Sequence, residues 1–334
     1  MKFARTFVIS LLFIAAVAIY FVQRGIDQDI KAIMPDEVSR DFSLDANEKI
    51  VRIEIINHLE AKNISLDLTD GEWTITAPIL AQADKLTAKG FAAALRFASK
   101  QTRLRPEKDW GEYGLEKPQL EVFLETDKKK KRTLALGALT PVGKAAYARW
   151  TSERGYMLLP LELKEVFESS LYALREKRVF QMPPEKIRKI YIEMGSHTYE
   201  WKKDGEKWYW FEPIGKFGKE FPTDRAELVL KILSGLYAKE FMDSNEEPNE
   251  TLGFYIIHDR IRLEDDAEGE EVLHFGNEVP SRDGYYGMKE KDGIVFLVER
   301  GKIYQLLDLL REIENESDAA SLKAAIQATD GPRA

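Results

Sequence analysis

The residues able to do chemistry in this chain are few, and their spacing matches no known catalytic arrangement. There are four histidines, His58, His197, His258 and His274. No two fall at the H-x-x-x-H or H-E-x-x-H spacing that puts two imidazoles on one helix face to hold a metal. The chain has no cysteine, which excludes a thiolate nucleophile, a cysteine zinc site, a disulfide framework and lipid anchoring through an N-terminal cysteine. No G-x-S-x-G elbow presents a serine, and no glycine-rich loop ends in Lys-Ser or Lys-Thr to cradle a phosphate. Glu193, Glu200 and Asp243 could do acid–base work only if two of them converged in a cleft. The expectation is no catalytic, metal-binding or cofactor-binding residue, and no enzyme.

Two clusters could bind rather than react. Lys128-Lys129-Lys130-Lys131-Arg132 is the densest charge run. It could meet anionic headgroups, or it could be a solvated hairpin tip between strands 119–125 and 133–136. The matching stretch later in the chain is acidic, Glu264-Asp265-Asp266 followed by Glu268, Glu270 and Glu271. Tolerance of opposite charge favours a loop, with a dipolar surface for partners or a second copy as the alternative. The other cluster is aromatic: Tyr199, Trp201, Trp208, Tyr209, Trp210 and Phe211. In strands Tyr199 and Trp201 share a face, as do Trp208 and Trp210, while Tyr209 and Phe211 point the other way. Such rings are ordinarily core, and an exposed set would be a recognition platform. The candidate interaction surface is therefore Lys128, Lys129, Lys130, Lys131 and Arg132 with Tyr199, Trp201 and Trp210.

The elements that must carry these residues are written twice. Asp70-Gly71-Glu72-Trp73 with Pro78 answers to Asp204-Gly205-Glu206-Lys207-Trp208 with Pro213. Each reads as a tight turn, a Trp-bearing strand and a proline that ends it. Ala83-Asp84 answers to Thr223-Asp224, where aspartate suits a helix N-cap. Helical periodicity follows, through Leu86, Phe91, Ala94, Leu95 and Ala98, and through Leu228, Leu230, Ile232, Leu233 and Leu236. Leu136-Gly137, Pro141 and Tyr147 align without a gap on Phe275-Gly276, Pro280 and Tyr286. The paired glycines are expected to fill a special backbone conformation after a strand. Closing strands (Tyr156–Leu159, Ile294–Leu297) lead to helices ending near Leu174-Arg175-Glu176 and Leu310-Arg311-Glu312. Strands and helices do not alternate regularly, so the fold class is α+β, two tandem units of antiparallel sheet plus helices. Gln181-Met182-Pro183-Pro184 reads as a stiff linker.

Trp73-x-Ile75-x-x-Pro78, Ala83-Asp84, Tyr113-Gly114-Leu115 with Pro118, Leu136-Gly137 with Tyr147-Ala148, and Leu174-Arg175-Glu176-Lys177 together resemble the uncharacterised DUF4340 family. The resemblance covers residues 49–180. It returns more weakly over 186–312, where Leu252-Gly253-Phe254 stands in place of Tyr-Gly-Leu and the following proline is missing. It implies one N-terminal membrane helix, an extracytoplasmic region, and an accessory role beside ABC-type export systems, including gliding-associated ones. It brings no established catalytic residues.

The N-terminus agrees with that expectation. Lys2 and Arg5 precede Phe7–Val22, which with Thr6 makes seventeen residues without a charge, the lower end of the roughly 17–25 that span a bilayer. Ala16-Val17-Ala18 leaves open a cleaved signal peptide. The reading is an inner-membrane, single-pass protein with its N-terminus in the cytoplasm and its bulk periplasmic. Its parts are an anchor over 1–23, a stalk over 24–48, units over 49–182 and 183–314, and a flexible tail over 315–334. The 334 residues carry a net charge of −8, which argues against nucleic acid as partner. The leading functional expectation is a noncatalytic, membrane-anchored accessory or scaffold protein serving an ABC-type transport complex. The alternatives are an envelope-glycan or solute-binding module using Trp201–Phe211, and an enzyme with an unrecognised carboxylate site.

Overall fold

The computed structural model describes residues 37–38, 42–45, 47–106, 108–243, 249–254 and 259–329. The apolar segment Phe7–Val22 and His258 lie outside them. Among the described residues no helix is long and apolar enough to cross a membrane.

The chain divides into two compact units between Glu176 and Lys177. The first contains β1 (Glu37–Val38), β2 (Ile50–Asn57), β3 (Lys62–Thr69), β4 (Glu72–Ala77), β5 (Ala81–Gln82), α1 (Lys85–Ser99), β6 (Arg103–Leu104), β7 (Leu120–Thr126), β8 (Lys131–Leu139), β9 (Ala145–Trp150), β10 (Met157–Pro160), α2 (Leu161–Phe167) and α3 (Leu171–Leu174). Its main sheet is antiparallel with eight strands in the order β10-β9-β8-β7-β2-β3-β4-β5, and β1 pairs with β6 separately. The second unit contains β11 (Ile187–Met194), β12 (His197–Asp204), β13 (Lys207–Glu212), β14 (Glu220–Phe221), α4 (Thr223–Ser234), β15 (Ala238–Phe241), α5 (Asn249–Leu252), β16 (Arg260–Asp265), β17 (Glu270–Val279), β18 (Gly284–Lys289), β19 (Val295–Glu299) and α6 (Arg300–Thr329). Its sheet order is β14-β13-β12-β11-β16-β17-β18-β19-β15.

Eight strands of the second sheet repeat the order of the first, and β15, paired with β19 at the edge, is an addition, so the duplication and the α+β class stand. The irregularities repeat as well. The register slips between Ser65 and Leu66 and between Glu200 and Trp201. It slips again between Leu136 and Leu139 and between Phe275 and Glu278. Both hairpins ahead of the paired tryptophans close with two-residue loops. Asp70-Gly71 has φ of 52° and 85°, the mirror-image geometry that suits strand twist. Gly205-Glu206 stands at the same place before Trp208, with Gly205 alone at positive φ, 57°. Pro78 and Pro213 both follow cis peptide bonds.

Alternation fixes the faces. Along β7, Leu120, Val122 and Leu124 are buried while Glu121, Phe123 and Glu125 are only half covered. The buried face takes α1 through Ala88, Phe91, Ala94, Leu95 and Ala98. The α4 residues at matching positions are Ala226, Val229, Ile232 and Leu233, followed by buried Leu236.

Several sequence expectations need correction. Leu86 and Leu228 are exposed, because each lies outside the arc that faces its sheet. Asp84 caps α1 by accepting from the Thr87 N–H at 2.7 Å, but α4 begins two residues earlier, at Thr223 with Pro222 as N-cap, and Asp224 sits inside its first turn. The stretch 42–48 is not stalk: Phe42, Leu44 and Glu48 are buried in the first unit. Gln181–Pro184 is not a spacer. Val179 and Phe180 are in the second core, and the Gln181 and Met182 N–H groups both donate to Glu271. The segment 315–329 continues α6 instead of forming a tail without regular structure. Its alanines, with Leu322 and Lys323, are good helix formers.

Candidate functional site

The lysine run is a hairpin tip between β7 and β8, but it is not a free cationic patch. Lys130 lies 2.9 Å from Glu48, Lys128 3.6 Å from Asp45, and Lys129 and Lys131 3.6 and 3.5 Å from Glu125. Arg132 sits over the Phe42 ring at 5.2 Å. Glu48 also accepts from the Thr126 hydroxyl at 2.8 Å. Burial works to raise its carboxyl, but the hydrogen bonds from Lys130 and Thr126 outweigh this and hold it below the usual carboxylate range. Lys130 is therefore tied to a buried carboxylate of the first unit, while Lys128, Lys129 and Lys131 stay largely exposed in longer contacts.

The aromatic platform is also overturned as an exposed surface. Trp201, Trp208 and Trp210 are buried, and Trp201 stacks on Phe221 with centroids 4.7 Å apart. The faces follow the alternation, yet the shared face is the one covered by α4 and α6, so the rings are core. Tyr199 differs in one respect. Its ring is buried, but it lines a cavity.

That cavity, about 470 Å³, opens beside the β11–β12 turn. Its apolar wall includes Met194, Phe275, Ile303, Leu307 and Leu310, and its rim includes His197, Asp259, Arg311 and Glu314. The strand β12 puts His197 and Tyr199 on one face by its two-residue period. Helix α6 supplies Leu307, Leu310, Arg311 and Glu314 at spacings of three and four. The Tyr199 hydroxyl donates to Glu314 at 3.3 Å. Burial first, and then the Glu314 carboxylate, push the Tyr199 phenol up to about 12. Tyr285, also on the lining, donates to Glu278 at 3.1 Å, as does Tyr304 at 3.0 Å. The arrangement can hold an apolar body with polar groups at its mouth. At that mouth the Ser196 hydroxyl lies 3.4 Å from His197 Nδ1, and His197 Nε2 lies 3.9 Å from Glu314, long contacts between solvent-exposed side chains.

The other histidines have structural partners: His58 lies 2.9 Å from Glu121, and His274 lies 2.8 Å from Glu290. Among the described residues no cluster of His, Asp and Glu could hold a metal ion. Glu193 is bonded to Arg260, and Glu200 lies 3.4 Å from Lys189.

The glycine pairs have a different cause from the one expected. Gly137 and Gly276 lie within β8 and β17, at the register slips, and neither has positive φ. What they provide is space. A Cβ on Gly137 would stand 2.2 Å from the Tyr113 carbonyl oxygen, and one on Gly276 2.2 Å from that of Leu252. The docked loops carry glycines of their own, Gly114 at φ 67° and Gly253 at φ 89°. In the first unit the docking brings Tyr113 against Tyr147 and Tyr156, both at 4.9 Å between centroids. No sequence pattern marks such a contact, although the repetition of both motifs is a usable signal.

Each unit is thus an antiparallel sheet with helices on one face and a glycine-docked loop on the other, a tandem two-layer α+β protein. A family model described as a domain of unknown function (DUF4340) matches residues 73–255. That is more than half of the chain, and the chain belongs to this family. No curated protein and no solved structure matches it.

Proposed function

We propose that this chain is a noncatalytic, membrane-tethered docking protein. Its two units would stand outside the cytoplasm as a binding surface for an ABC-type transport complex. The observation that carries the reading is a repeated exposure. In each unit the connection after the cis proline turns large apolar side chains to solvent: Leu80 is 79% exposed, and Ile214 and Phe217 are 81% and 63% exposed. Apolar side chains that recur at one place in two copies of a fold suit a partner surface better than chance scatter does. The Phe7–Val22 segment supplies the tether, and the DUF4340 resemblance supplies the class of partner.

The test is capture of the full chain through a C-terminal tag in mild detergent. Permease or ATPase subunits are expected with the wild-type chain. They should be lost with Leu80→Ser/Ile214→Ser/Phe217→Ser at an unchanged melting temperature. Repeated absence of both subunits from wild-type captures would overturn the reading. Protease added outside spheroplasts should digest the region from residue 49 onward.

The cavity beside Tyr199 favours a second reading, a solute-binding module, now resting on that cavity and not on Trp201 and Trp210. A solute that raises the melting temperature of the wild-type chain, but not of Leu307→Trp, would support it.

A further inference from the structure

The two units share a scaffold, but one pair of residues belongs to the first alone. Offset by the same interval that aligns Gly137 with Gly276, Arg149 falls on Met288 and Trp110 on Asn249. In the first unit the docked loop lays Trp110 against Arg149, whose guanidinium lies 4.5 Å from the ring centroid. Among the described residues no hydrogen bond or ion pair reaches Arg149, and its Nε is buried without a partner. Tyr147 lies two residues away on the same face of β9, and its hydroxyl makes no hydrogen bond among the described residues. Lys108 is nearby but committed, donating to Glu112 at 2.8 Å.

We propose that Arg149, stacked on Trp110 and flanked by Tyr147, is a binding site for a carboxylate carried by a partner polypeptide. With Nε buried and the guanidinium over the indole, the two Nη groups are left to grip a planar anion in bidentate fashion. Lys108, Asp109 and Glu112 around Trp110 add no net positive charge to that of Arg149. That suits a monoanionic carboxylate better than a phosphate dianion. Trp110, Tyr113 and Tyr147 add an aromatic wall for the side chain next to the acid. The site rests on the docking reading above and gives it a chemistry: an acidic residue beside an apolar one.

The test uses the full chain in detergent, with N-acetyl-aspartyl-phenylalaninamide as probe, its asparaginyl analogue as neutral control, and inorganic phosphate. The readout is the Trp110 indole N–H resonance, identified by its loss in Trp110→Phe. The aspartyl peptide should shift it saturably, and the asparaginyl peptide should bind at least tenfold more weakly. Arg149→Gln and Arg149→Met should each weaken the aspartyl peptide about tenfold. The methionine variant copies what β18 carries at the same position, so it is expected to fold. Equal binding of the two peptides, undiminished binding by both variants, or tighter binding of phosphate would each overturn the proposal. Transporter capture separates the two claims. If the wild-type chain binds the peptide and captures no transporter subunit, the docking reading falls and the carboxylate site stands. If capture is undiminished in Arg149→Met, the site falls and the docking reading stands.

Discussion

Gly137 packs against the backbone of Tyr113 so closely that a methyl group has no room between them. A Cβ there would lie 2.2 Å from the Tyr113 oxygen, while the neighbouring Ala138 N–H donates to that same oxygen at 2.9 Å. Gly137→Ala must therefore either break this hydrogen bond or move the loop, and overpacking of this kind costs about 1–3 kcal/mol. Gly276→Ala should cost a similar amount, since the Leu252 oxygen stands in the same place. Gly90 is the control. It lies inside α1, and a Cβ on it would meet nothing within 4 Å, so Gly90→Ala should stabilise by roughly 0.5–1 kcal/mol. Urea midpoints of the three variants check the ranking.

The contrast shows what a single sequence carries. The Asp70-Gly71 turn, the Asp84 cap and the alternation of β7 are local, with causes lying within a few residues, so they can be read from the chain directly. The duplication extends this reach, because it shows which glycines and tryptophans are structural. The reason for Gly137 lies with Tyr113, on a separate loop. The partners of the lysine run are equally distant: Lys130 and Glu48 are 82 residues apart. Charge density alone makes that run look like a surface for lipids, and only the third dimension shows that Asp45, Glu48 and Glu125 offset part of it. The boundary near Lys177 is hidden for a similar reason, since Val179 and Phe180 commit to a core whose other members come much later. No motif marks Arg149, and its place beside Trp110 is set by the glycine docking.

Arg103 and Glu153 form a fully buried ion pair, with side-chain exposures of 0% and 1%. The guanidinium also donates to the Phe42 and Ser99 carbonyls, each at 3.2 Å, and Glu153 accepts the Phe42 N–H at 2.7 Å. The pair thus pins the segment entering the first unit. Glu153→Gln or Arg103→Met leaves an uncompensated buried group, and each should destabilise by about 3–5 kcal/mol. The double variant Arg103→Met/Glu153→Leu removes both charges and should recover a large part of that loss. A double variant no more stable than the worse single one would show that the backbone bonds to Phe42, and not the pairing, hold the segment. Chemical denaturation of all three decides it.

Glu48 and Lys130 give the first unit a pH dependence of definite sign. The Glu48 carboxyl is held below its ordinary 4.5 in the fold. Its contribution to stability is therefore full above 4.5 and is lost as pH falls through the lower folded value. Lys130 is raised above its ordinary 10.5, chiefly by its hydrogen bond to Glu48. Its contribution is full below 10.5 and is lost as pH climbs through the raised folded value. Glu48→Gln should lower stability at pH 7 and flatten the acid limb of the stability profile. An acid limb as steep as that of the wild-type chain would assign the effect to other carboxylates. Denaturation midpoints between pH 7 and pH 3 are the measurement.

The tryptophans test whether the aromatic cluster is core or platform. Trp208 is 2% exposed and pairs with Phe221 across β13 and β14, while Trp201 is fully buried against Trp210 and Phe221. Truncating a ring of this size in a packed interior costs about 3–5 kcal/mol, the transfer free energy plus the cavity left behind. Trp208→Ala and Trp201→Ala should both fall in that range, and Trp73→Ala should match them because it fills the corresponding place in the first unit. Phe217 provides the opposite case. At 63% exposure its change to serine should leave stability within about 0.5 kcal/mol of wild type. A Trp208→Ala chain that melts like the wild type would return the ring to the surface and reopen the platform. A Phe217→Ser chain that loses several kcal/mol would show that this side chain is part of the core, and would remove it from the docking surface proposed for the second unit.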